Sequence, residues 1–416
     1  MIQEIRIKNY LSFRDEVVLS FEATKDTTFE ECQVVNVTPK VRLLRFALIY
    51  GANASGKSNL LNAMDFLRDF WFNKKSDIDE ETGVVPFLLD TETPNEPSEF
   101  NIKFFVGDKR YWYALVLDDK QVIKEDLYVY NSVQPSLVFS RELDGTASLI
   151  KLNASLVKAN ATIVEQLNVK CLSNMSFFAA RNQVNCSLAY IDEVRDWMKN
   201  NMMPIIEPGT RMFEYAGKQM EKNAELKAYI LDFVHKADYN ITDVYTEREK
   251  VPIPDIVKAT IMEDKDIPEK AKEKMLADNA FESLRTDFQH TVKNKRGEEN
   301  YRLPNSLQSE GTKRTFGIEA AIYEAIKTNG ILPIDEIESS LHPELVEFII
   351  EKFLKEKSRS QLIVTSHYDP LLNTVDDLIR KDSVWFTEKE KDGHTTLYSL
   401  TDFKGLSKIS SFQKSY

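Results

Sequence analysis

Gly51-Ala52-Asn53-Ala54-Ser55-Gly56-Lys57-Ser58 is the stretch that decides the fold, because it fits the pattern G-x-x-x-x-G-K-[ST] of a phosphate-binding loop. The apolar run from Leu43 to Tyr50 predicts a short buried strand before it, and the residues from Leu60 to Trp71 carry apolar side chains at helical spacing after it. A strand, a glycine-rich loop and a helix in this order direct backbone N–H groups and the positive end of the helix dipole at one point, which suits a polyphosphate. The sequence therefore predicts a nucleotide site.

The side chains of this loop have assignable roles. Lys57 is expected to reach the β- and γ-phosphates and to assist catalysis, and the Ser58 hydroxyl is expected to bind Mg²⁺. A glycine-rich turn can also join a strand to a helix without binding anything, but here the complete pattern stands between the two. The predicted nucleotide-binding residues of the loop are Gly51, Asn53, Ser55, Gly56, Lys57, Ser58 and Asn59.

Composition narrows the class of protein. The 416 residues suggest two or three domains, and the apolar fraction of 42% is that of a globular protein. No apolar run reaches the roughly 18 residues of a membrane span, so we expect a cytoplasmic protein with no membrane partner. The net charge of −12 argues against a surface built mainly for nucleic acid. DNA binding through a local basic strip stays open but is not favoured.

A second stretch, Ile334-Asp335-Glu336-Ile337-Glu338, ends an apolar run with acids. In hydrolases with a phosphate-binding loop, an Asp at such a strand end holds Mg²⁺ and a following Glu polarises the attacking water. The sequence predicts Asp335 as a metal ligand and Glu336 as the catalytic base, with Glu338 as the next candidate. Adjacent residues of one strand point to opposite faces, so the pair alone does not establish the site. Pro333 is also unusual, because proline removes a donor from a central strand.

Two further segments bear on the same chemistry. The run 361–366 predicts a buried strand that ends on His367, and in a parallel sheet its carboxyl end shares an edge with the phosphate-binding loop. Ser309-Glu310-Gly311-Thr312 opens a predicted helix. Considered alone, His367 is an ordinary strand-end residue, and Ser309 and Thr312 are helix caps.

Together these motifs resemble the ATP-binding-cassette (ABC) ATPases of the RecF, SMC and overcoming-lysogenization-defect group, and most of all the short bacterial abortive-infection ATPases of the RloA and AbiL type. The resemblance covers the segments Ile5–Phe13, Gly51–Ser58, Ser309–Arg314, Asp335–Pro343 and Thr365–His367. It implies ATP and Mg²⁺ as cofactors and ATP hydrolysis as the reaction.

The resemblance also implies roles for single residues. Ser309, Gly311 and Thr312 correspond to the signature motif, His367 to the catalytic switch histidine, and Ser339–His342 to the D-loop. It implies a head-to-tail homodimer or higher assembly, in which each ATP lies between the phosphate-binding loop of one subunit and the signature helix of the other. The positive end of that helix would then face the γ-phosphate. Gln183 is the predicted Q-loop ligand of Mg²⁺, although its neighbours are equally typical of a plain loop.

The fold implied by the resemblance is an α/β fold, that of an ABC-type P-loop NTPase with a mixed sheet, an antiparallel β layer and a helical insertion. Residues 1–186 would form the ATPase lobe, and the alternating pattern between residues 100 and 130 predicts its antiparallel strands. Residues 187–300 are charged and helical in pattern, so we expect a helical second lobe there. Residues 301–416 would complete the ATPase core.

We therefore expect an ATPase that dimerises around ATP and controls a separately encoded effector, a toxin or a nuclease, because the chain holds no second cluster of catalytic residues. The resemblance implies anti-phage defence. Two other functions fit the same motifs, a RecF-like DNA-binding repair ATPase and an ATP-binding scaffold with little turnover. The acidic net charge favours control of an effector over DNA binding. The presence of Glu336 and His367 favours ATP hydrolysis over a scaffold that binds ATP with little turnover.

Overall fold

The computed structural model describes residues 1–237, 240–263 and 269–403. Its strands are β1 (Ile2–Lys8), β2 (Val17–Ser20), β3 (Val34–Thr38), β4 (Val41–Leu44), β5 (Phe46–Tyr50), β6 (Ser98–Val106), β7 (Lys109–Leu117), β8 (Val122–Tyr130), β9 (Ser136–Asp144), β10 (Ala147–Leu152), β11 (Ile241–Pro252), β12 (Ala280–Asn294), β13 (Gly297–Pro304), β14 (Ile331–Ile334), β15 (Gln361–Ser366), β16 (Val384–Lys389) and β17 (Thr395–Ser399). Its helices are α1 (Glu30–Gln33), α2 (Lys57–Phe70), α3 (Ala161–Lys170), α4 (Phe177–Arg181), α5 (Ile191–Asn201), α6 (Met212–Lys222), α7 (Ala224–Lys236), α8 (Asp255–Glu263), α9 (Glu269–Asp278), α10 (Glu310–Thr328), α11 (Pro343–Lys355) and α12 (Pro370–Asn373). No helix in these ranges is both long enough and apolar enough to cross a membrane.

The chain divides into two compact units. The first contains Met1–Pro208, Glu324–Ser339 and the described residues from Val346 onward, and the second contains Gly209–Tyr323 and Ser340–Leu345. The predicted boundaries at 186 and 300 therefore move to 208 and 323. The first boundary moves because α5 belongs to the first unit, where Trp197 stacks on Phe104 of β6 at 4.2 Å between ring centroids.

A mixed sheet positions the phosphate-binding loop. Its order is β14-β15-β5-β16-β17, with the first four strands parallel and β17 antiparallel. Every residue of β5 and β15 is buried, as expected for strands covered on both faces. Tyr50 at the end of β5 pairs with Ser366 at the end of β15, and Ile334 at the end of β14 pairs with Val364. The carboxyl ends of these three strands therefore lie at one edge of the sheet.

Pro333 is accommodated because β14 is the outer strand of this sheet. On its outer side, the carbonyl of Pro333 accepts from Ile206 N–H at 3.0 Å, and Asp335 N–H donates to Ile206 O at 2.9 Å. The carbonyl of Pro333 thus faces the irregular segment 202–206 and not β15. Because the missing N–H would face the same side, this proline removes no hydrogen bond between β14 and β15.

A second sheet of the same unit is antiparallel, in the order β10-β9-β8-β7-β6-β1-β2. Phe100, Ile102 and Phe104 of β6 are fully buried at alternate positions, which confirms the strands predicted between residues 100 and 130. The apolar face of α2 is buried in the same core as these strands. The mixed sheet and the antiparallel layer confirm the predicted α/β fold of a P-loop NTPase with a mixed sheet and an antiparallel β layer.

The second unit contains α6 to α9 and also a sheet that the sequence analysis did not predict. Its strands pair antiparallel in the order β11-β12-β13. The pattern Glu247-Arg248-Glu249-Lys250 explains the omission, because these residues of β11 are all exposed. A strand that is solvated on both faces lacks the alternation of apolar and polar residues by which strands are recognised.

Candidate nucleotide-binding site

The loop between β5 and α2 is closely packed at its two glycines. A Cβ atom on Gly51 would lie 2.5 Å from Thr387 Oγ1 and 2.6 Å from Ser55 Oγ. Gly56 has a φ of +103° and precedes the first residue of α2, and a Cβ there would overlap Thr395. Both positions therefore require glycine, one for space and the other for space and backbone conformation.

Lys57 is folded back onto the loop that carries it. Its Nζ donates to Gly51 O at 2.8 Å and to Ala52 O at 3.0 Å, and the side chain is buried. Burial lowers the pKa of the Lys57 ammonium. The negative charges of Glu336, Asp335 and Glu338, in this order of strength, oppose that fall. The loop lysine and the predicted acids are therefore within electrostatic reach of each other.

Three hydroxyl side chains that the sequence analysis did not single out make hydrogen bonds to residues of the loop and of the start of α2 or to one another. They are those of Thr387, Thr395 and Ser12. Ser55 Oγ hydrogen-bonds with Thr387 Oγ1 of β16 at 2.6 Å. Thr395 Oγ1 of β17 contacts Ser55 O at 2.9 Å and Ser12 Oγ at 2.8 Å. Asn59, predicted to bind nucleotide, donates through its Nδ2 to Ser12 Oγ at 2.8 Å. Ser12 lies in the N-terminal run Ile5–Phe13, whereas isolated threonines on β16 and β17 carry no recognisable sequence signal.

The acids of the second motif lie in a turn, which we call the acidic turn (residues 335–338). The strand ends at Ile334, and Glu336 has a φ of +44°, an uncommon conformation for a residue with a side chain. In such a turn, the side chains of adjacent acids do not have to point to opposite faces as they do in a strand. Thr365 on β15 donates through Oγ1 to Asp335 Oδ1 and accepts from Glu336 N–H at 2.8 Å. This one hydroxyl, missed by the sequence analysis, contacts the carboxylate of Asp335 and the backbone of Glu336.

Thr365 provides a first testable prediction. Thr365→Val keeps the shape of this buried side chain but removes the two hydrogen bonds that its hydroxyl makes, with Asp335 Oδ1 and with Glu336 N–H. We expect ATP turnover to fall roughly 10- to 100-fold, the usual effect of losing a hydrogen bond to a charged group. Thr365→Ser retains the hydroxyl and should restore most of the rate. Equal loss in both variants, at unchanged melting temperature, would contradict this role.

His367 follows β15 and contacts the third acid of the turn. Its Nδ1 lies 3.0 Å from Glu338 Oε1, and its backbone N–H donates to the same oxygen at 2.9 Å. The structure thus brings the predicted switch histidine and the acidic turn together at the sheet edge that carries the phosphate-binding loop.

The residues predicted to hold Mg²⁺ differ in the hydrogen bonds that their side chains make. Ser58 lies in the first turn of α2, and its hydroxyl makes no hydrogen bond within the described part of the chain. The Ser58 hydroxyl and the Asp335 carboxylate are hard oxygen ligands of the kind that Mg²⁺ prefers. The Gln183 amide donates to Ala179 O at 3.3 Å, within its own turn, so its role as a ligand stays a prediction.

The predicted signature residues lie in the second unit, at the start of α10. Ser309 Oγ accepts from Thr312 N–H at 3.0 Å, so Ser309 caps the helix, and its own side chain is exposed. A Cβ on Gly311 would lie 2.6 Å from the carbonyl oxygen of Ser340. Gly311 therefore allows close contact with the predicted D-loop of its own chain, independently of its predicted role in the signature motif.

The chain is similar to known proteins in sequence and in structure. A family model described as "AAA domain, putative AbiEii toxin, Type IV TA system" matches residues 46–152 and 213–373, which is more than half of the chain. The SMC head domain from Thermotoga maritima is similar with 12% identity and a TM-score of 0.45, over 96% of this chain and 98% of that one. An Smc head bound to the C-winged helix domain of ScpA has 14% identity and a TM-score of 0.44, over 96% and 97%. An Smc head domain with an extended coiled coil, bound to the C-terminal domain of ScpA derived from Pyrococcus furiosus, has 13% identity and a TM-score of 0.39, over 100% and 98%. No curated protein matches the sequence.

Proposed function

We propose that this chain, which belongs to the AAA family whose model it matches, binds ATP with Mg²⁺ and hydrolyses it. One observation carries the proposal. The loop lysine Lys57 is buried within electrostatic reach of the acidic turn, at the sheet edge where β5, β14 and β15 end. A cation on a phosphate-binding loop opposite a set of carboxylates is what phosphoryl transfer to water needs.

The side chains divide the chemistry between them. Lys57 would leave the carbonyl groups of its own loop to bind the β- and γ-phosphates. Ser58 and Asp335 would hold Mg²⁺, which when bound neutralises phosphate charge. Glu336 would accept a proton from the attacking water, with its backbone fixed by Thr365. His367 would contact the γ-phosphate from the end of β15.

The assembly and the biological role are part of the same proposal. The exposed N-terminus of α10, capped by Ser309, suits contact with the ATP of a second subunit, so ATP would join two copies and hydrolysis would release them. The family description mentions a putative AbiEii toxin and a type IV TA system. From the resemblance of the motifs, we further propose a role in anti-phage defence through a separately encoded toxin or nuclease. We place this activity in the cytoplasm.

ATP titration of Lys57→Ala tests the binding step. The substitution removes the point charge directed at the phosphates, so we expect affinity for ATP to fall about 10- to 100-fold. Lys40→Ala, which removes an exposed lysine from the turn between β3 and β4, is the matched control and should bind as the parent does. Unchanged affinity in a folded Lys57→Ala protein would contradict the phosphate-binding role of the loop.

Affinity purification from the organism of origin, with and without ATP, tests the partner. We expect a toxin-like or nuclease-like protein to be retained in an ATP-dependent manner. Retention of DNA in its place would favour the repair ATPase, which the net charge of −12 does not favour.

A further inference from the structure

Glu338 differs from the other acids of the acidic turn in what it contacts. One of its oxygens, Oε1, lies 3.0 Å from the Nδ1 of His367 and accepts from the backbone N–H of the same residue at 2.9 Å. The Glu338 side chain is only 11% exposed, whereas that of His367 is 45% exposed. A largely buried carboxylate thus contacts both the backbone and the ring of a histidine whose side chain is partly exposed.

This contact bears on the tautomer of the ring. A carboxylate oxygen 3.0 Å from Nδ1 would repel a lone pair there, so the contact favours a proton on Nδ1 of His367. Nε2 is then the ring nitrogen left to meet a phosphate oxygen. Nε2 is an acceptor in the neutral ring and donates to a phosphate oxygen only when both ring nitrogens carry protons.

The same geometry argues against Glu338 as a second catalytic base. Oε1 is engaged twice by His367. Oε2 is buried and makes no hydrogen bond with any described residue. A general base has to be within hydrogen-bond reach of the water that it activates. A carboxylate with one oxygen occupied and the other shielded does not meet this condition.

We propose that Glu338 is a positioning residue that acts through His367. It selects the Nδ1–H tautomer and holds the ring so that Nε2 is presented to the nucleotide. Carboxylates that orient a histidine in this way support its function without touching the substrate. The inference rests on the proposed ATPase function for its kinetic consequence, and on the described contacts alone for the tautomer.

A double-mutant cycle tests the kinetic consequence. Glu338→Ala should lower kcat for ATP by about 10- to 100-fold, the usual effect of losing such a partner, with little change in KM. If Glu338 acts through His367, adding Glu338→Ala to His367→Ala should cost nothing further. Losses that multiply in the double variant would show that Glu338 acts independently and would overturn the proposal. Glu351→Gln on α11, where Glu351 pairs with Lys355, is the matched control and should retain the parent rate.

Nitrogen-15 NMR of the histidine rings tests the tautomer without turnover. The chain has five histidines, and His367→Ala identifies the signal of interest. We expect Nδ1–H in the parent protein and a shift toward Nε2–H in Glu338→Ala. An Nε2–H tautomer in the parent would overturn the proposal. If the parent protein does not hydrolyse ATP, the proposed function fails, while the tautomer still decides whether Glu338 orients His367.

Discussion

Replacing Glu336 by glutamine is expected to lower ATP turnover by roughly 10²–10⁴-fold while leaving ATP binding intact, because a positioned general base usually contributes this much. Glutamine has nearly the same shape but cannot accept the proton of the attacking water. The unusual backbone of this residue, with a φ of +44°, is fixed by the hydrogen bond from its N–H to Thr365. That bond does not involve the side chain, so Glu336→Gln should keep the acidic turn in place.

A second readout of the same variant is the oligomeric state. If hydrolysis releases the two subunits, a protein that binds ATP without cleaving it should accumulate as an ATP-bound dimer. Light scattering with ATP, without ATP and with ADP measures this directly. The parent protein should dimerise only transiently under the same conditions.

The outcome distinguishes among the three acids. Glu351→Gln removes an exposed carboxylate on α11 and should behave as the parent protein. If Glu336→Gln hydrolyses ATP at the parent rate, the catalytic carboxylate lies elsewhere, and Glu338 becomes the next acid to test. A catalytic role found for Glu338 in that test would contradict its assignment as a positioning residue.

The parts of the site that the sequence predicts are those encoded by local patterns. The loop from Gly51 to Ser58 is continuous, and its packed glycines explain two of the fixed positions of the pattern. The acids of residues 335–338 and His367 were recognised because each follows an apolar strand. In a parallel sheet, the ends of such strands must meet at one edge.

The parts that the sequence does not predict depend on contacts between distant residues. Thr365 orients Asp335 from 30 positions away, and Thr395 supports the loop residue Ser55 from 340 positions away. A single threonine in a strand is ordinary, so only the folded chain reveals these roles. The sheet of the second unit was missed for a different reason, since the charged stretch 247–250 of β11 is exposed at every residue and shows no alternation.

Gly311 shows how the structure changes the choice of experiment. A carboxylate at this position would probe the shared ATP site that the proposed dimer requires. However, even a Cβ there would lie 2.6 Å from Ser340 O of the same chain, so any larger side chain disturbs local packing first. A loss of activity in a Gly311 variant would therefore not separate a defect in the shared site from a local one.

Ser309→Asp avoids this difficulty and is expected to abolish joining of two subunits by ATP. Aspartate is as good a helix cap as serine, so it can accept from Thr312 N–H as Ser309 does. Its negative charge would face the γ-phosphate of the ATP held by the other subunit and repel it. We expect ATPase activity to fall by roughly 10²–10³-fold, as when a preorganised donor to the reacting group is lost. Ser309→Asn, a neutral cap of the same shape, should retain most of the activity.

Mixing variants tests whether the lesion acts on the partner's nucleotide. In a dimer of one Ser309→Asp chain and one Lys57→Ala chain, one shared site carries both lesions and the other carries neither. Partial ATPase activity should therefore return on mixing. Lys57→Ala mixed with Asp335→Asn is the matched control, because both lesions lie on the phosphate-binding side of a site and no intact site can form.

The result decides between a shared site and a simple helix cap. Recovery would exclude the reading in which Ser309 only caps α10, because a cap defect cannot be complemented by another chain. Absence of recovery, with heterodimers demonstrated, would contradict the shared site if single-turnover measurement also shows no hydrolysis. A single turnover without steady-state recovery would instead mean that continued hydrolysis requires both sites to be active. The shared site would then stand, with cooperativity between the two sites of the dimer.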